Sequence, residues 1–221
     1  MDWCAAFIDP RNAIVCCRLD QRSSLQVNIL KMEIRETEIP GCYEVQPRLS
    51  KDDRGVFVKT FHAKEFRSLG LCSDWREQYY STSNQGFLRG LHFQLPPHDH
   101  AKLVYCIAGS VEDMALDIRV GSPTYGKTVM LELSARKGNM IYLPKGLAHG
   151  FCTPNEQATL VYNVSSVYES EADSGIRWDS VGVHWPIQNP LLSNRDRSLP
   201  TFDEFKSPFD YSELTKHVQW S

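Results

Sequence analysis

The chain lacks several features that would point to particular classes of protein. It has no apolar run near the roughly 20 residues that a membrane-spanning helix needs. Its formal net charge is only −3, so it lacks the excess of Lys and Arg that is typical of nucleic-acid-binding and membrane-surface proteins. It also lacks internal repeats, low-complexity tracts and interdomain linkers. These absences favour one globular domain and argue against nucleic-acid and membrane partners.

The seven cysteines give no sign of a metal site or a disulfide framework. They are scattered, and no Cys-x-x-Cys pair occurs among them. Reduced cysteines are typical of a cytosolic protein. The short apolar run at residues 13–17 is too short for the core of a signal peptide, so we expect the protein to be cytoplasmic.

Residues 1–31 differ from the rest of the chain. They are rich in cysteine and show no sustained hydrophobic period, whereas a coherent pattern begins near Met32. We expect residues 1–31 to be a poorly ordered extension that the fold does not need. Residues 32–221 would then form a single domain. The alternative is that the N-terminal segment contributes a strand that pairs with this domain.

From residue 42 onward the pattern predicts an all-β fold. Strands are predicted over residues 87–94, 103–107, 111–118, 128–133, 140–143 and 159–167. Turn-forming Gly, Pro and Asn residues separate them. Short helices are predicted near residues 63–69 and 210–217. Many short strands at this spacing indicate an antiparallel jelly roll or closed β-barrel with a few short helices.

The most informative stretch is Arg-Gly-Leu-His-Phe-Gln at residues 89–94, which is followed by Lys102. Tyr162 and Asp196 lie further along the chain. A histidine can remove a proton beside a carbonyl, a lysine cation can hold the enolate oxygen, and a tyrosine can return a proton from the other side. These residue types therefore indicate proton transfer next to a ketone.

A second motif surrounds His149. Gly138, Pro144, Gly146 and His149 have the spacing of the second sequence signature of cupin barrels, in which a strand, a Pro-Gly turn and another strand present a histidine inward. A tight hairpin with a buried, hydrogen-bonded histidine gives the same pattern. The motif agrees with a barrel but does not assign a role to His149.

The pair His98 and His100 raises the possibility of a metal site. Cupin metal sites place a glutamate four or five residues after such a pair, but Val104 and Tyr105 occupy those positions. Two histidines without a third ligand bind a metal poorly. We therefore expect no metal, and the neighbouring Pro96-Pro97 predicts an exposed loop for both histidines.

From about residue 42 to 200 the chain resembles the dTDP-4-dehydrorhamnose 3,5-epimerase family, a metal-free branch of the cupins. The order and spacing of many short stretches match that family. They are DRG at 53–55, RGLHFQ at 89–94, KLV at 102–104, DIR at 117–119, SPTYGK at 122–127, LPKGLAHGF at 143–151, Tyr162 with Tyr168, GIRWD at 175–179 and LSNRD at 192–196.

The resemblance implies a cofactor-free epimerase that acts on a nucleotide-linked 4-keto-6-deoxy sugar as a homodimer. It places the base at His92, the carboxylate that orients this base at Asp196, and the cation that faces the ketone at Lys102. Tyr162 matches the proton donor on the opposite face. It further implies a set of substrate-binding positions, which are Arg54, Lys59, Gln78, Arg89, His149, Tyr168, Asp173 and Arg195.

Three residues depart from the family pattern at positions that contact the nucleotide. Lys59 replaces a usual glutamate, and Glu77 and Tyr79 replace a usual glutamine and asparagine. The chemistry is expected to be retained while recognition of the base or sugar is altered. Alternatives are an epimerase that inverts one carbon of a different nucleotide sugar, and a non-catalytic sugar-nucleotide-binding cupin. A metal-dependent cupin oxygenase is a further alternative.

Overall fold

The strands of this chain form two facing sheets. The computed structural model describes residues 32–215. The extension expected at residues 1–31 lies outside this range and stays a prediction, as do the last residues of the expected C-terminal helix. Within residues 32–215, every helix is too short to cross a membrane.

The described residues contain thirteen strands and three short helices. The strands are β1 (Glu33–Glu36), β2 (Tyr43–Gln46), β3 (Arg48–Asp52), β4 (Gly55–Lys59), β5 (Glu77–Ser83), β6 (Leu88–Gln94), β7 (Lys102–Ala108), β8 (Ser110–Asp117), β9 (Thr128–Ser134), β10 (Met140–Leu143), β11 (Leu147–Cys152), β12 (Ala158–Val164) and β13 (Asp173–Gly175). The helices are α1 (Ala63–Ser68), α2 (Asn194–Arg197) and α3 (Tyr211–Thr215).

The strands pair antiparallel into a jelly roll. One sheet has the order β1-β2-β10-β7-β12-β5, and the other has the order β13-β6-β11-β8-β9. Strands β3 and β4 form a separate hairpin. The prediction of an antiparallel all-β fold with a few short helices is confirmed, and the strands predicted over residues 128–133 and 140–143 match β9 and β10 most closely.

The buried apolar residues form three layers, one between the two sheets and one on the outer face of each sheet. The inner layer joins Val104 and Leu160 of the six-stranded sheet to Leu133 and Phe151 of the five-stranded sheet. Strands β10 and β11 are buried at every position because both of their faces are covered. Burial of a large apolar side chain contributes about 1.5–3 kcal/mol, so the inner layer is a major source of stability. Any polar group between the sheets therefore needs a partner or a function.

The outer faces of the sheets are covered by segments that contain little regular structure. Trp185 and Phe209 pack on the outside of the five-stranded sheet. Phe66 of α1 and Leu71 pack on the outside of the six-stranded sheet. Because both outer faces are covered, the polar residues that line the space between the sheets stand out as the candidate site.

Candidate active site

Facing strands of the two sheets bring four chemically active side chains into the space between them. His92 of β6 and His149 of β11 are paired directly across the five-stranded sheet. In the six-stranded sheet, Tyr162 of β12 is paired with Val104 of β7, and Lys102 lies two residues before Val104 on the same strand. Residues two apart on a strand project from the same face, so both side chains point toward the histidines.

Two adjoining cavities lie between these strands. Their volumes are about 310 Å³ and about 220 Å³, and both are bordered by Tyr79, His92, Lys102 and Arg195. The larger cavity is also lined by Glu77, Phe93, Gln94, His100, Val164, Tyr168 and Asp173. The smaller cavity is also lined by Ser81, Arg89, His149, Gly150, Phe151 and Tyr162. The two cavities meet at these four shared residues and together form one binding site.

His92 is held by a carboxylate from a distant part of the chain. Its Nε2 lies 2.5 Å from Oδ1 of Asp196. Since an ionised carboxylate only accepts hydrogen bonds, Nε2–H donates to Asp196 and the lone pair of the neutral ring lies on Nδ1. This is the tautomer that a general base requires.

The helix α2 presents Asp196 to His92. The Asn-Arg-Asp sequence is polar, yet Asp196 is buried. Ser193 caps the helix, and the Ser193 side chain accepts a hydrogen bond of 3.0 Å from the Asp196 amide. Burial alone would raise the pKa of Asp196, but the hydrogen bonds from His92 and Ser193 outweigh it and lower that pKa. The carboxylate therefore stays ionised beside the imidazole.

The pKa of His92 is lowered, and the cause is burial. The Asp196 carboxylate opposes this effect by favouring the imidazolium, whereas Arg195 and Lys102 reinforce it. A lowered pKa keeps His92 neutral, and therefore able to accept a proton, at neutral pH.

Lys102 is a buried cation at the junction of the two cavities. Its Nζ donates a 3.1 Å hydrogen bond to the carbonyl oxygen of His92. Burial lowers the pKa of Lys102 to about 8, while the carboxylates of Asp113 and Asp173 limit the fall. The ammonium group is therefore still the main form at neutral pH and can stabilise negative charge on an oxygen.

Tyr162 lies across the cavity on the opposing sheet. It is 6% exposed, and its hydroxyl lies 3.3 Å from the hydroxyl of Ser81 on the neighbouring strand β5. Burial raises the pKa of Tyr162 further above its ordinary value. The phenol is thus protonated at neutral pH and can donate that proton.

His149 has a carboxylate partner of its own. Its Nε2 lies 2.9 Å from Oδ2 of Asp113, a fully buried residue of β8. Burial raises the pKa of Asp113, although the interaction with His149 lowers it in part. The alternative considered for this motif, a buried and hydrogen-bonded histidine, therefore describes His149 correctly, and the residue also lines the smaller cavity.

The outer end of the larger cavity combines an aromatic ring with charged groups. Tyr168 is 59% exposed, and its hydroxyl donates to Oδ2 of Asp173 at 3.4 Å. Arg195 donates to the other oxygen of Asp173 at 2.7 Å. The Tyr168 amide donates to Oε2 of Glu77 at 2.7 Å, which ties this segment to strand β5.

Three of the predicted binding residues do not line either cavity. Gln78 points to the opposite face of β5 from Glu77 and Tyr79, and its amide donates to Oδ1 of Asn163 at 2.6 Å. Arg54 and Lys59 lie on the separate β3–β4 hairpin. Arg54 is bound there to Asp52 of the same hairpin, at 2.6 Å.

The structure also adds residues that the sequence did not indicate. His98 and His100 are both only partly exposed, so the expectation that both histidines are exposed is wrong, and His100 lines the larger cavity. Burial lowers the pKa of His100 to about 3. Asp113 gave one usable signal, because it alternates with the apolar residues Val111 and Ala115 on one face of β8, and a charged residue on a buried face implies a buried partner.

Comparison with known proteins agrees with this geometry. Residues 36–204 match the family model described as dTDP-4-dehydrorhamnose 3,5-epimerase. A dTDP-4-dehydrorhamnose 3,5-epimerase from Sinorhizobium fredii is 42% identical over 192 residues, which cover 83% of this chain and 96% of that protein.

Solved structures give the same result. An epimerase from Mycobacterium tuberculosis superposes with a TM-score of 0.80 at 34% identity and covers 85% of this chain and 98% of its own. A 3'-monoepimerase from Streptomyces bikiniensis, in complex with dTDP-quinovose, superposes with a TM-score of 0.71 at 32% identity and covers 76% and 86% of the two chains. The facing sheets, the polar cavity and these matches establish that the chain is an isomerase of the dTDP-4-dehydrorhamnose 3,5-epimerase family.

Proposed function

We propose that this protein epimerises a nucleotide-linked 4-keto-6-deoxy sugar of the dTDP-4-dehydro-6-deoxyglucose type. Carbons 3 and 5 of such a sugar flank the ketone, so their protons are acidic enough to be removed through an enolate. The observation that carries the proposal is the placement of His92 with Asp196 on one side of the cavity and Lys102 with Tyr162 on the other. Inversion needs groups on both faces of the sugar ring.

In the first step, His92 removes a proton from carbon 3 or carbon 5. Nδ1 accepts the proton while Asp196 stabilises the imidazolium that forms. As the proton leaves, negative charge develops on the ketone oxygen. The ammonium group of Lys102 is the cation available to hold that charge, and such a donor typically lowers a barrier by about 3–4 kcal/mol.

In the second step, Tyr162 returns a proton to the opposite face of the same carbon. The phenol O–H bond breaks, a new C–H bond forms, and water later reprotonates the phenolate while His92 releases its proton. The atoms balance without a metal, an oxidant or a cofactor. The reaction needs the four side chains, and exchange of protons with water restores Tyr162 and His92 for the next turnover.

The remaining groups suit the nucleotide part of the substrate. Arg89 and Arg195 line the cavities and can donate planar pairs of hydrogen bonds to a diphosphate. Tyr168 offers an exposed ring on which a base can stack. We assign Asp173 to holding Arg195 and Tyr168, since it accepts from both.

Heavy water tests the proposal. The protein is incubated with dTDP-4-dehydro-6-deoxyglucose in D2O, and NMR measures deuterium and configuration at carbons 3 and 5. We expect His92→Ala to lower exchange at every carbon that the wild type exchanges by roughly 10²–10⁴-fold, because the base is lost. Tyr162→Phe keeps the ring but removes the proton, so this variant should still exchange deuterium while forming little inverted product.

The same experiment separates the alternatives. Exchange at one carbon alone would identify a single-carbon epimerase, and the structural similarity to the 3'-monoepimerase from Streptomyces bikiniensis makes this the second candidate. Absence of exchange with tight binding of the nucleotide sugar would identify a non-catalytic binding protein. Near wild-type exchange by His92→Ala would remove His92 from the mechanism, and unchanged inversion by Tyr162→Phe would remove Tyr162.

We also propose that the protein acts as a homodimer in the cytoplasm. The β3–β4 hairpin exposes Val56 and Phe57, at 57% and 65%, and carries Arg54 away from the cavities of its own chain. A second copy would cover these apolar side chains and the edge of β1 that has no partner strand within residues 32–215. The four cysteines in residues 32–215 are free thiols, in keeping with a reducing compartment.

A further inference from the structure

Tyr79 lies directly against the proposed proton donor. It is paired with Tyr162 across strands β5 and β12, so the two side chains leave the same face of the sheet side by side. Their ring centroids are 4.8 Å apart and the ring planes differ by 17°, which is a stacked arrangement. Register and stacking together fix the position of one ring relative to the other.

Tyr162 belongs to the inner apolar layer, and among the described residues Tyr79 is the group that stacks on a face of its ring. The distance of 3.3 Å to the Ser81 hydroxyl is at the long end for a hydrogen bond between hydroxyl groups. The His149 ring meets Tyr162 edge-on, with centroids 6.1 Å apart and planes 73° apart. Tyr79 covers a whole face of the ring, whereas these two groups touch its edge and its hydroxyl.

Tyr79 also lines both cavities, together with His92 and Lys102, where the two cavities meet. Movement of Tyr79 would therefore open space into which the Tyr162 ring can turn. Because Tyr79 lies on the edge strand β5, that space would be open to solvent on one side. A tyrosine at this position both supports the donor and limits the room around it.

We propose that Tyr79 is a positioning residue that aims the Tyr162 phenol at the enolate and thereby sets how often proton removal ends in inversion. The proposal rests on the assignment of Tyr162 as the donor. Once His92 has taken a proton, the enolate has two fates. It regains a proton from His92 and returns to substrate, or it takes one from Tyr162 and becomes product.

Misalignment of the phenol slows only the transfer of a proton from Tyr162 to the enolate. Proton removal depends on His92, Asp196 and Lys102, none of which belongs to the β5–β12 pair that carries the stack. A loosened Tyr162 would thus leave deuterium exchange intact while inverted product falls. The quantity that reports on Tyr79 is the ratio of deuterium in recovered substrate to inverted product.

The test compares Tyr79→Ala, Tyr79→Leu and Tyr79→Phe in D2O with the NMR readout described above. A stacked aromatic pair is modest in strength, so we expect Tyr79→Ala and Tyr79→Leu to raise the exchange-to-inversion ratio roughly 3- to 10-fold. Tyr79→Phe keeps the stacked ring and should leave the ratio at the wild-type value. Tyr79→Leu removes the aromatic ring but keeps a large apolar side chain, so it still tests the stack if Tyr79→Ala fails to fold.

Tyr80→Ala is the matched control. Tyr80 is the next residue on the same strand, is 72% exposed and points to the other face. Its loss removes a tyrosine from β5 without touching the stack, so its ratio should equal that of the wild type. The same rise in Tyr80→Ala would mean that weakening β5, and not loss of the stack, causes the effect.

Three results would overturn the proposal. Equal losses of exchange and inversion in Tyr79→Ala and Tyr79→Leu would show a merely structural role. A raised ratio in Tyr79→Phe would show that the hydroxyl acts, and not the ring. An unchanged ratio in all Tyr79 variants, with Tyr162→Phe still blocking inversion, would reject the role of Tyr79 while leaving the donor assignment intact. Unchanged inversion in Tyr162→Phe would instead reject the proposed function on which this inference rests.

Discussion

Burial and charge act on the pKa of His92 in opposite directions, and in the proposed mechanism their balance determines the pH range of the reaction. Burial lowers its pKa, and the Asp196 carboxylate raises it but only in part. In the proposed mechanism His92 is active when neutral, so activity should be lost as the pH falls through this lowered pKa. Lys102 is active when charged, so activity is lost as the pH rises through its pKa of about 8.

This balance makes a prediction for Asp196→Asn. Without the carboxylate, the pKa of His92 should fall further, so the acid limb of kcat/KM should move to lower pH. The rate at neutral pH should fall by less than the roughly 10²–10⁴-fold expected for loss of the base. A pH profile of deuterium exchange from about pH 5 to 9 measures both effects. An acid limb that stays in place or moves to higher pH would show that Asp196 does not set the pKa of His92.

At the residue scale, the sequence predicted which residues meet at the site better than it predicted their contacts. Spacing and resemblance identified His92, Lys102, Tyr162 and Asp196, and the structure brings the first three to one cavity with Asp196 behind the base. The stack of Tyr79 on Tyr162 could not be predicted in this way. It depends on the register between β5 and β12, and nothing local in the sequence fixes that register.

At the scale of the strands, the site depends on an unusually close approach of β6 to β11. A Cβ atom placed on Gly90 would lie 2.5 Å from Cα of Gly150 and 2.9 Å from the carbonyl oxygen of His149. Gly90 also has a φ of +128°, which residues with side chains rarely adopt. This contact lies two residues before His92, so the same glycine positions the base and its neighbour His149.

We therefore expect Gly90→Ala to lower the free energy of unfolding by about 2–6 kcal/mol, from backbone strain and steric overlap together. Gly121→Ala is the control, because Gly121 has a φ of +83° and open space around its Cβ position. It should show the strain alone, about 1–3 kcal/mol. Urea unfolding of both variants measures the difference. Equal losses of unfolding free energy in the two variants would mean that β6 and β11 move apart to accept the added methyl group without a cost in free energy.

The strands themselves were largely predictable, whereas α2 was not. Alternation and turn residues mark strands such as β9, since Val129, Leu131 and Leu133 stand at alternate positions and all pack in the inner layer. The four residues of α2 are all polar, which is typical of a loop. Its helical turn results from the Ser193 cap and the buried pairing of Asp196 with His92, and the latter is a contact across 104 residues of sequence.

At the scale of the whole molecule, the position of Arg54 is the main discrepancy between the resemblance and the single chain. The resemblance places Arg54 at the substrate, but the structure keeps it on the exposed β3–β4 hairpin, paired with Asp52. Both can be true if the hairpin reaches the cavity of a second copy. The exposed Phe57 beside it supplies an apolar contact for such an interface.

Mixed dimers test this arrangement. Arg54→Ala should weaken substrate binding and His92→Ala should abolish proton removal, so each variant alone has little activity. If Arg54 serves the partner's cavity, a mixed dimer holds one site with both defects and one site with neither. Co-expression of the two variants should then restore roughly a quarter of wild-type turnover, since half of randomly paired dimers are mixed and half of their sites are intact. Size-exclusion chromatography with light scattering verifies that both variants form dimers. Failure of such dimers to recover any turnover would place Arg54 within its own subunit's site. Near wild-type activity of Arg54→Ala alone would remove Arg54 from the mechanism, and a monomeric wild-type protein would reject the shared site altogether.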